Sequence, residues 1–356
     1  MVEYLTLMKA VTVIPSVPES LRLRDVDKPK PNHGQVLLKP IRVGICGTDK
    51  EIIEGKYGKA PPGSQYLILG HEALAVVEEL GDGVDNVAVG DVVVPTVRRP
   101  LDCNLPVDYC PMGHYVEHGI WGLHGHAAEY SVTDAKYLVK VPKELIDVAV
   151  LTEPLSVVEK GIDVALSVGG SRFEWRPRSA LILGAGPIGL LSTMVLRLMG
   201  LLTTTVATRP PDSLKARLVR ELGGVYVDSA LSSIEGVFDL VVEATGSPQV
   251  MVDGLRHLAP NGVMVLLGVY PPGGVINDLG NVLTDSVLNN KVLVGSVNAG
   301  VKHFELGLRH MAEAKGRFGD WLSRLITKRA TLDNYQEAYS WTHDDIKTVL
   351  EINPLN

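Results

Sequence analysis

Cys46 and the adjacent pair His71-Glu72 each follow a glycine turn, in Gly44-Ile45-Cys46-Gly47-Thr48-Asp49 and in Gly70-His71-Glu72. Thiolate, imidazole and carboxylate are the ligand types that hold a tetrahedral zinc, and three protein ligands leave a fourth position for water or substrate. Taken singly, Cys46 would pass for a small buried hydrophobe and His71 for a hydrogen-bonded core residue. Farther along, Gly184, Gly186 and Gly189 complete a GxGxxG, with Pro187 and Ile188 inside it. That run follows an apolar strand and opens a helix, so bare backbone can approach a pyrophosphate held at the helix N-terminus. A metal centre and a dinucleotide in one chain imply alcohol or aldehyde redox chemistry.

The second strand of a dinucleotide unit usually ends in an acid that binds the ribose 2′-hydroxyl. Here it ends Ala207-Thr208-Arg209-Pro210, with no acid before Asp212. A guanidinium pairs with a 2′-phosphate that a carboxylate would repel, and Thr208 can donate a hydrogen bond, so NADP is favoured over NAD. Glu153, in Leu151-Thr152-Glu153-Pro154-Leu155, stands where two domains are expected to join and is a further ligand candidate; a linker salt bridge is the alternative.

The elements that must position these groups follow from apolar patterning. Short strand-like runs at 5–14, 35–43, 72–78, 91–97, 127–132 and 137–141 predict a small antiparallel barrel. A helix to 168 then leads into strands at 180–183, 204–207, 225–227, 238–243, 262–267 and 292–297. Helices at 188–199, 212–222 and 248–258 intervene, the pattern of a doubly wound parallel sheet. The run at 346–352 is a strand that returns to the first domain. With 356 residues two domains are the default, and 46% hydrophobic and 21% charged residues are ordinary globular values. A net charge of -7 leaves no footprint for nucleic acid. The apolar stretch 180–202 is crowded by glycines and Pro187 in its first half, which argues against a membrane span, and no signal peptide is evident at the start, so a cytoplasmic placement is the simplest.

With these motifs the chain resembles the zinc-dependent medium-chain dehydrogenases and, within them, the sugar-oxidising branch of archaeal glucose 1-dehydrogenases. The match also takes in Val97-Arg98-Arg99-Pro100, Gly122-Leu123-His124-Gly125, Gly295-Ser296-Val297-Asn298 and Ile346-Lys347-Thr348-Val349. The resemblance implies an α/β architecture: a GroES-like β-barrel catalytic domain over 1–160, a Rossmann nucleotide-binding domain over 161–303, and a return to the catalytic domain over 304–356. It further implies that Cys46, His71 and Glu72 bind one catalytic zinc, with Glu153 at the zinc and substrate. Thr48, Glu117 and Asn298 would contact sugar hydroxyls, while Leu267, Gly268, Val269, Ser296, Val297 and Asn298 would line the cofactor. The implied reaction is oxidation of glucose and related aldoses at C1 to the lactone, by a homodimer or homotetramer. Zinc enzymes acting on polyols, simple alcohols or threonine share the same motifs, and a non-enzymatic nucleotide-binding protein is the remote alternative.

Two departures from the family pattern matter. Relatives commonly hold a structural zinc with four cysteines in a surface lobe, whereas only Cys103 and Cys110 stand here, with Asp102, Asp108 and His114 as the other donors nearby. A structural zinc is therefore not expected, and free thiols are the default, a disulfide being the alternative that geometry decides. Relatives also place an aspartate four residues beyond the Glu153 position, where this chain has Val157, which implies fewer sugar contacts on that side. With Cys46 and two carboxylates bound, a zinc site would carry about one net negative charge and lose Lewis acidity. Glu72 and Glu153 are thus not expected to bind tightly together throughout turnover.

Overall fold

The computed structural model describes residues 6–228, 231–273, 275–340 and 342–355; residue 5, where the first expected strand begins, lies outside them. The chain forms two compact units, one of residues 1–153, 299–308 and 322–356, the other of residues 154–298 and 309–321.

In the first unit come strands Leu7–Val13 (β1), Arg22–Asp27 (β2), Gln35–Ile45 (β3), Leu67–Ile68 (β4), Glu72–Leu80 (β5), Val92–Pro95 (β6), Arg98–Pro100 (β7), Tyr115–His118 (β8), Gly122–Leu123 (β9), Ser131–Asp134 (β10) and Leu138–Lys140 (β11). One short helix, Gly47–Ile53 (α1), follows β3. Helix Thr152–Gly170 (α2) then precedes the parallel strands Ser179–Leu183 (β12), Leu202–Val206 (β13), Val225–Val227 (β14), Phe238–Glu243 (β15), Leu258–Leu266 (β16) and Val292–Gly295 (β17). Between them run helices Pro187–Leu198 (α3), Leu214–Glu221 (α4), Pro248–Arg256 (α5) and Leu279–Leu288 (α6). Helix Val301–Phe318 (α7) leads to Ile326–Thr331 (β18), helix Tyr335–Ala338 (α8) and Lys347–Glu351 (β19).

The main sheet of the first unit has the order β11-β6-β5-β3-β19-β18, with β10 also on β3. Its long strand β3 is held antiparallel by β5 on one side and by β19 on the other, so Gly44 faces Glu72 and Val349 at once. Val11, Val13, Ile45, Leu67, Leu69, Val97 and Leu350 fill one core of this unit, and Val36, Leu38, Ala75, Val77 and Val93 another. The second unit is one six-stranded sheet of order β14-β13-β12-β15-β16-β17. Its central strands are buried on both faces, as parallel strands between helices must be, and the order reverses at β12 and β15. Among the described residues no helix is long and apolar enough to cross a membrane.

Cys103 and Cys110 form a disulfide, which overturns the expectation of free thiols. The short helical turn Val107–Tyr109 folds the chain back and leaves their Cα atoms 5.9 Å apart, within the span a disulfide bridges. Two bonded sulfurs offer no thiolate to a metal.

Two histidine rings pack against each other inside the first unit. His118 and His126 are buried with ring centroids 4.8 Å apart. Nδ1–H of His118 donates to the His124 carbonyl at 2.7 Å, and its Nε2 accepts from Thr133, whose hydroxyl oxygen in turn accepts from Arg99. Burial first, then the Arg99 charge, pushes His118 well below its ordinary value and His126 to about 3. Both imidazoles are neutral in the fold, whereas the unfolded chain takes up protons once the pH falls through the ordinary histidine value. Stability is therefore complete above that value and lost below it, by about 1.4 kcal/mol per pH unit for each ring. We expect the urea midpoint to fall on going from pH 7 to pH 5, and to fall less in His126→Gln; equal midpoints at the two pH values would contradict this account.

Candidate metal and dinucleotide sites

Cys46 is presented by the start of α1. It is the N-cap, its sulfur accepting from the Thr48 amide at 3.3 Å, while the buried Asp49 carboxylate accepts from the Cys46 amide at 2.9 Å. This is a capping box with a thiol in the serine place, and it fixes the direction in which Sγ points. His71 enters from the turn before β5: Sγ of Cys46 lies 3.1 Å from its Nε2. Gly70 makes the turn possible, since its φ is +94° and a Cβ there would stand 2.8 Å from the Ala127 amide. The other ring nitrogen, Nδ1, and Oδ1 of Asp49 are both buried without a hydrogen-bond partner, 3.7 Å apart. A carboxylate beside the outer nitrogen of an imidazole is the arrangement that orients metal-binding histidines. His71 is held well above its ordinary value: burial opposes this, but the charges of Cys46 and Asp49 outweigh it.

Donor atoms of His71, Glu72 and Glu153 all lie within 4.8 Å of one another, as do those of Cys46, Asp49 and His71. Of the expected ligands, His71 is thus shared by a group that holds Cys46 and a group that holds Glu72 and Glu153, with Thr48 in the first turn of α1. Burial, then the nearby Glu72, raises Glu153 to about 7. Glu72 is held differently. Both its oxygens accept from Nζ of Lys347, at 2.8 and 2.7 Å, and the two side chains are each 2% exposed. Lys347 also donates to the Ile45 carbonyl at 3.2 Å. The carboxylate fits only because its neighbour on β3 is glycine: a Cβ on Gly44 would lie 2.1 Å from Oε2 of Glu72. Sequence analysis assigned no role to Asp49 or Lys347. The spacing Cys46-x-x-Asp49 is a capping-box signal that finds the first, whereas only the pairing of β19 with β3 reveals the second.

Glu117, on β8, is buried against Arg98 on β7, whose Nε and Nη2 both donate to Oε1, at 3.1 and 2.9 Å. The Arg98 guanidinium lies 3.6 Å from the centre of the Tyr115 ring. Two residues beyond Glu117, Gly119 packs on Gly70, directly before His71: a Cβ there would be 2.7 Å from the Gly70 carbonyl.

In the second unit the glycine turn leaves β12 and enters α3. Gly184 has φ +103°, and a Cβ on Gly189 would stand 1.9 Å from the Gly184 oxygen, so both positions require glycine. Gly186 is the N-cap without a side-chain cap and Pro187 opens the helix, which leaves amide groups at the N-terminus for an anion. The Gly184 amide donates to the Val206 carbonyl, placing the turn beside the end of β13. Just past that end are Thr208, exposed, and Arg209, whose carbonyl accepts from the Tyr226 hydroxyl at 2.8 Å. Leu267, Gly268 and Val269 follow β16, and Ser296 to Asn298 follow β17. The Val297 carbonyl accepts from the buried Lys160 amine at 3.0 Å, the Ser296 hydroxyl is buried without a partner, and Asn298 is left-handed at φ 56°.

Removing the Lys347 cation strands a buried carboxylate, a change that costs about 3–5 kcal/mol in comparable pairs. For metal-free protein we expect Lys347→Met to lower unfolding stability by that order and Lys347→Met/Glu72→Gln to recover most of it, measured by urea denaturation. A single variant as stable as the parent would show that the pair does not neutralise Glu72.

Comparison with known proteins fits these two sites. Residues 32–143 match the alcohol dehydrogenase GroES-like domain, and residues 146–352 match the glucose dehydrogenase C-terminus. The chain is 76% identical over 345 residues to a glucose 1-dehydrogenase of Vulcanisaeta moutnovskia, covering 97% of this chain and 99% of that one. It is 68% identical over 345 residues to glucose 1-dehydrogenase of Thermoproteus tenax, with the same coverage of 97% and 99%. Among solved structures, Haloferax mediterranei glucose dehydrogenase in complex with NADP, zinc and gluconolactone superposes with a TM-score of 0.89 at 34% identity, covering 98% of this chain and 100% of that one. The barrel with its parallel-sheet partner is accordingly the GroES-like and Rossmann pair of the medium-chain dehydrogenases, and the chain belongs to the glucose 1-dehydrogenase family.

Proposed function

We propose that this protein oxidises D-glucose, and related aldoses, at C1 to the lactone, with NADP as the hydride acceptor and one zinc at the Cys46–His71 centre. The observation that carries the reading is that one imidazole, His71, is shared by a group holding the Cys46 thiol and a group holding the carboxylates of Glu72 and Glu153, in a chain that also builds a complete dinucleotide turn. The donor set fits zinc, and the unpartnered His71 Nδ1 facing Asp49 is the second contact a ligating imidazole uses. The glycine turn, the orphaned Ser296 hydroxyl and Arg209 beyond β13 fit NADP.

Bound zinc supplies Lewis-acid polarisation of the C1 hydroxyl, and bound NADP accepts the hydride. Cys46 and His71 are the ligands best fixed in place, and Glu153 is the carboxylate that burial and the nearby Glu72 raise to about 7. Glu72, already neutralised by Lys347, adds little net charge to the centre, which meets the objection to two carboxylates beside a Lewis acid. Thr48 presents a hydroxyl two residues from Cys46, suited to carry the C1 proton outward. Glu117 keeps Oε2 clear while Arg98 holds Oε1, so a sugar hydroxyl has an oriented acceptor; such positioning makes hydride transfer effectively unimolecular. Asn298 is assigned to a further sugar hydroxyl. In this reading 1–160 is the catalytic part, 161–303 holds the nucleotide and 304–356 returns to the first. Assembly as a dimer or tetramer rests on family resemblance.

Cys46→Ala is expected to lose zinc and turnover while still quenching or enhancing NADPH fluorescence on binding; turnover retained in zinc-stripped Cys46→Ala protein would sink the metal assignment. A panel of kcat/KM for glucose, galactose, xylose, sorbitol, ethanol and threonine with each cofactor tests substrate class, and a preference for any of the last three would overturn the aldose reading. In the same assay Arg209→Ala should raise the KM for NADP by roughly tenfold or more, the worth of a charge-assisted phosphate contact, and leave that for NAD nearly unchanged.

A further inference from the structure

The carboxylate of Glu243 is completely buried at the C-terminal end of β15, the strand next to β12 where the sheet order reverses. A charge in that position costs several kcal/mol unless it is fully hydrogen-bonded. It is. Oε1 accepts from the amides of Thr245 at 2.6 Å and Gly246 at 3.1 Å and also from the Thr245 hydroxyl. Oε2 accepts from the Tyr270 hydroxyl at 2.6 Å and from the Gly246 amide at 3.3 Å. The main-chain carbonyl of the same residue accepts from the amides of Leu267 at 2.9 Å and Gly268 at 3.2 Å. One residue therefore ties two loops, 244–247 after β15 and 267–270 after β16.

Those loops touch through glycines that leave no slack. A Cβ on Gly268 would stand 2.3 Å from the Gly246 amide nitrogen and 2.7 Å from Oε2 of Glu243, and one on Gly246 would stand 2.4 Å from the Val269 carbonyl. On its other side the first loop backs the dinucleotide turn: a Cβ on Gly184 would meet the Thr245 methyl at 3.1 Å, and the Ala244 amide donates to the Leu183 carbonyl. Tyr270 is the outermost member of the cluster. Burial, then its bond to Glu243, raises the phenol above its ordinary value, so it remains a donor throughout the working pH range.

We infer that Glu243 is a positioning residue for the dinucleotide, holding loops 244–247 and 267–270 in register with the glycine turn, and that Tyr270 is the latch that keeps the second loop on it. The inference rests on the NADP assignment above. Glutamine in place of Glu243 would aim an NH2 group at donors that point inward and so open the clamp, whereas Tyr270→Phe removes a single hydrogen bond at its half-buried rim.

The test is NADPH binding by fluorescence titration, with KM values for NADP and glucose and thermal midpoints, for the parent, Tyr270→Phe and Glu243→Gln, each with its zinc. In Tyr270→Phe we expect the Kd for NADPH and the KM for NADP to rise by about three- to tenfold, the net worth of one ordinary hydrogen bond, with the KM for glucose and the zinc content unchanged. Glu243→Gln should show the larger rise of the two. Variants that melt earlier but bind NADPH as the parent does would overturn the inference and leave a purely structural carboxylate. Parent protein that binds neither NADPH nor NADH would overturn the cofactor reading and this inference together, whereas unaltered Kd in Tyr270→Phe with normal binding in the parent overturns this one alone.

Discussion

A carboxylate next to an imidazole, almost without access to water, is tolerable only if a cation meets it, and the pairing of Glu72 with Lys347 is the interaction on which the cluster around His71 depends. Everything around it serves that contact. Gly44 is bare because Glu72 occupies the space a side chain would need, β3 runs through Gly44 to Ile45 and hands the chain to Cys46 at the start of α1, and β19 lies along β3 so that the ammonium arrives beside the carboxylate. With Lys347 bound to Glu72, the four acidic or thiol groups near His71 do not act as one uncompensated cluster.

The dinucleotide half solves a different problem. It must present bare backbone to a charged ligand, and it does so with positions at which any Cβ would collide: Gly184 and Gly189 in the turn, Gly246 and Gly268 in the loops behind it. Rigidity there comes from close approach and from hydrogen bonds gathered on Glu243, not from large side chains. In the first unit the cation is brought to a fixed carboxylate; in the second, amides are brought to one.

Much of this was legible in the sequence. The strands Val225–Val227 and Phe238–Glu243 stand where the apolar runs put them, the second because the middle of a parallel strand buried on both faces, Leu240 to Val242, must be apolar. The barrel was less legible. β2 reads Arg-Leu-Arg-Asp-Val-Asp and has a mostly solvent-facing pattern, and β4 and β9 are two residues each, too short for any alternation to register. α1 was hidden because Cys46, taken as a ligand, is also its cap. At the site, Cys46, His71 and Glu72 announce themselves by residue type and turn context. Lys347 does not, because a lone lysine in an apolar run looks like the solvent face of a strand, and its partner lies 275 positions away. The disulfide was undecidable for the same reason: two cysteines seven apart bond or not according to a turn between them.

The long separation of Lys347 from Glu72 has a consequence for biosynthesis. β3 and β5 can pair early, but the edge of β3 that carries Gly44 and Ile45 stays open until β19 has been made and docks against it. During that interval the ribosome carries a chain whose Glu72 carboxylate has no counter-cation and whose Cys46 thiol lies just past an unpaired strand edge. The finished centre is therefore a late product of translation, and a nascent chain that meets metal or oxidant before residue 347 emerges meets a different set of ligands from the one the folded protein presents.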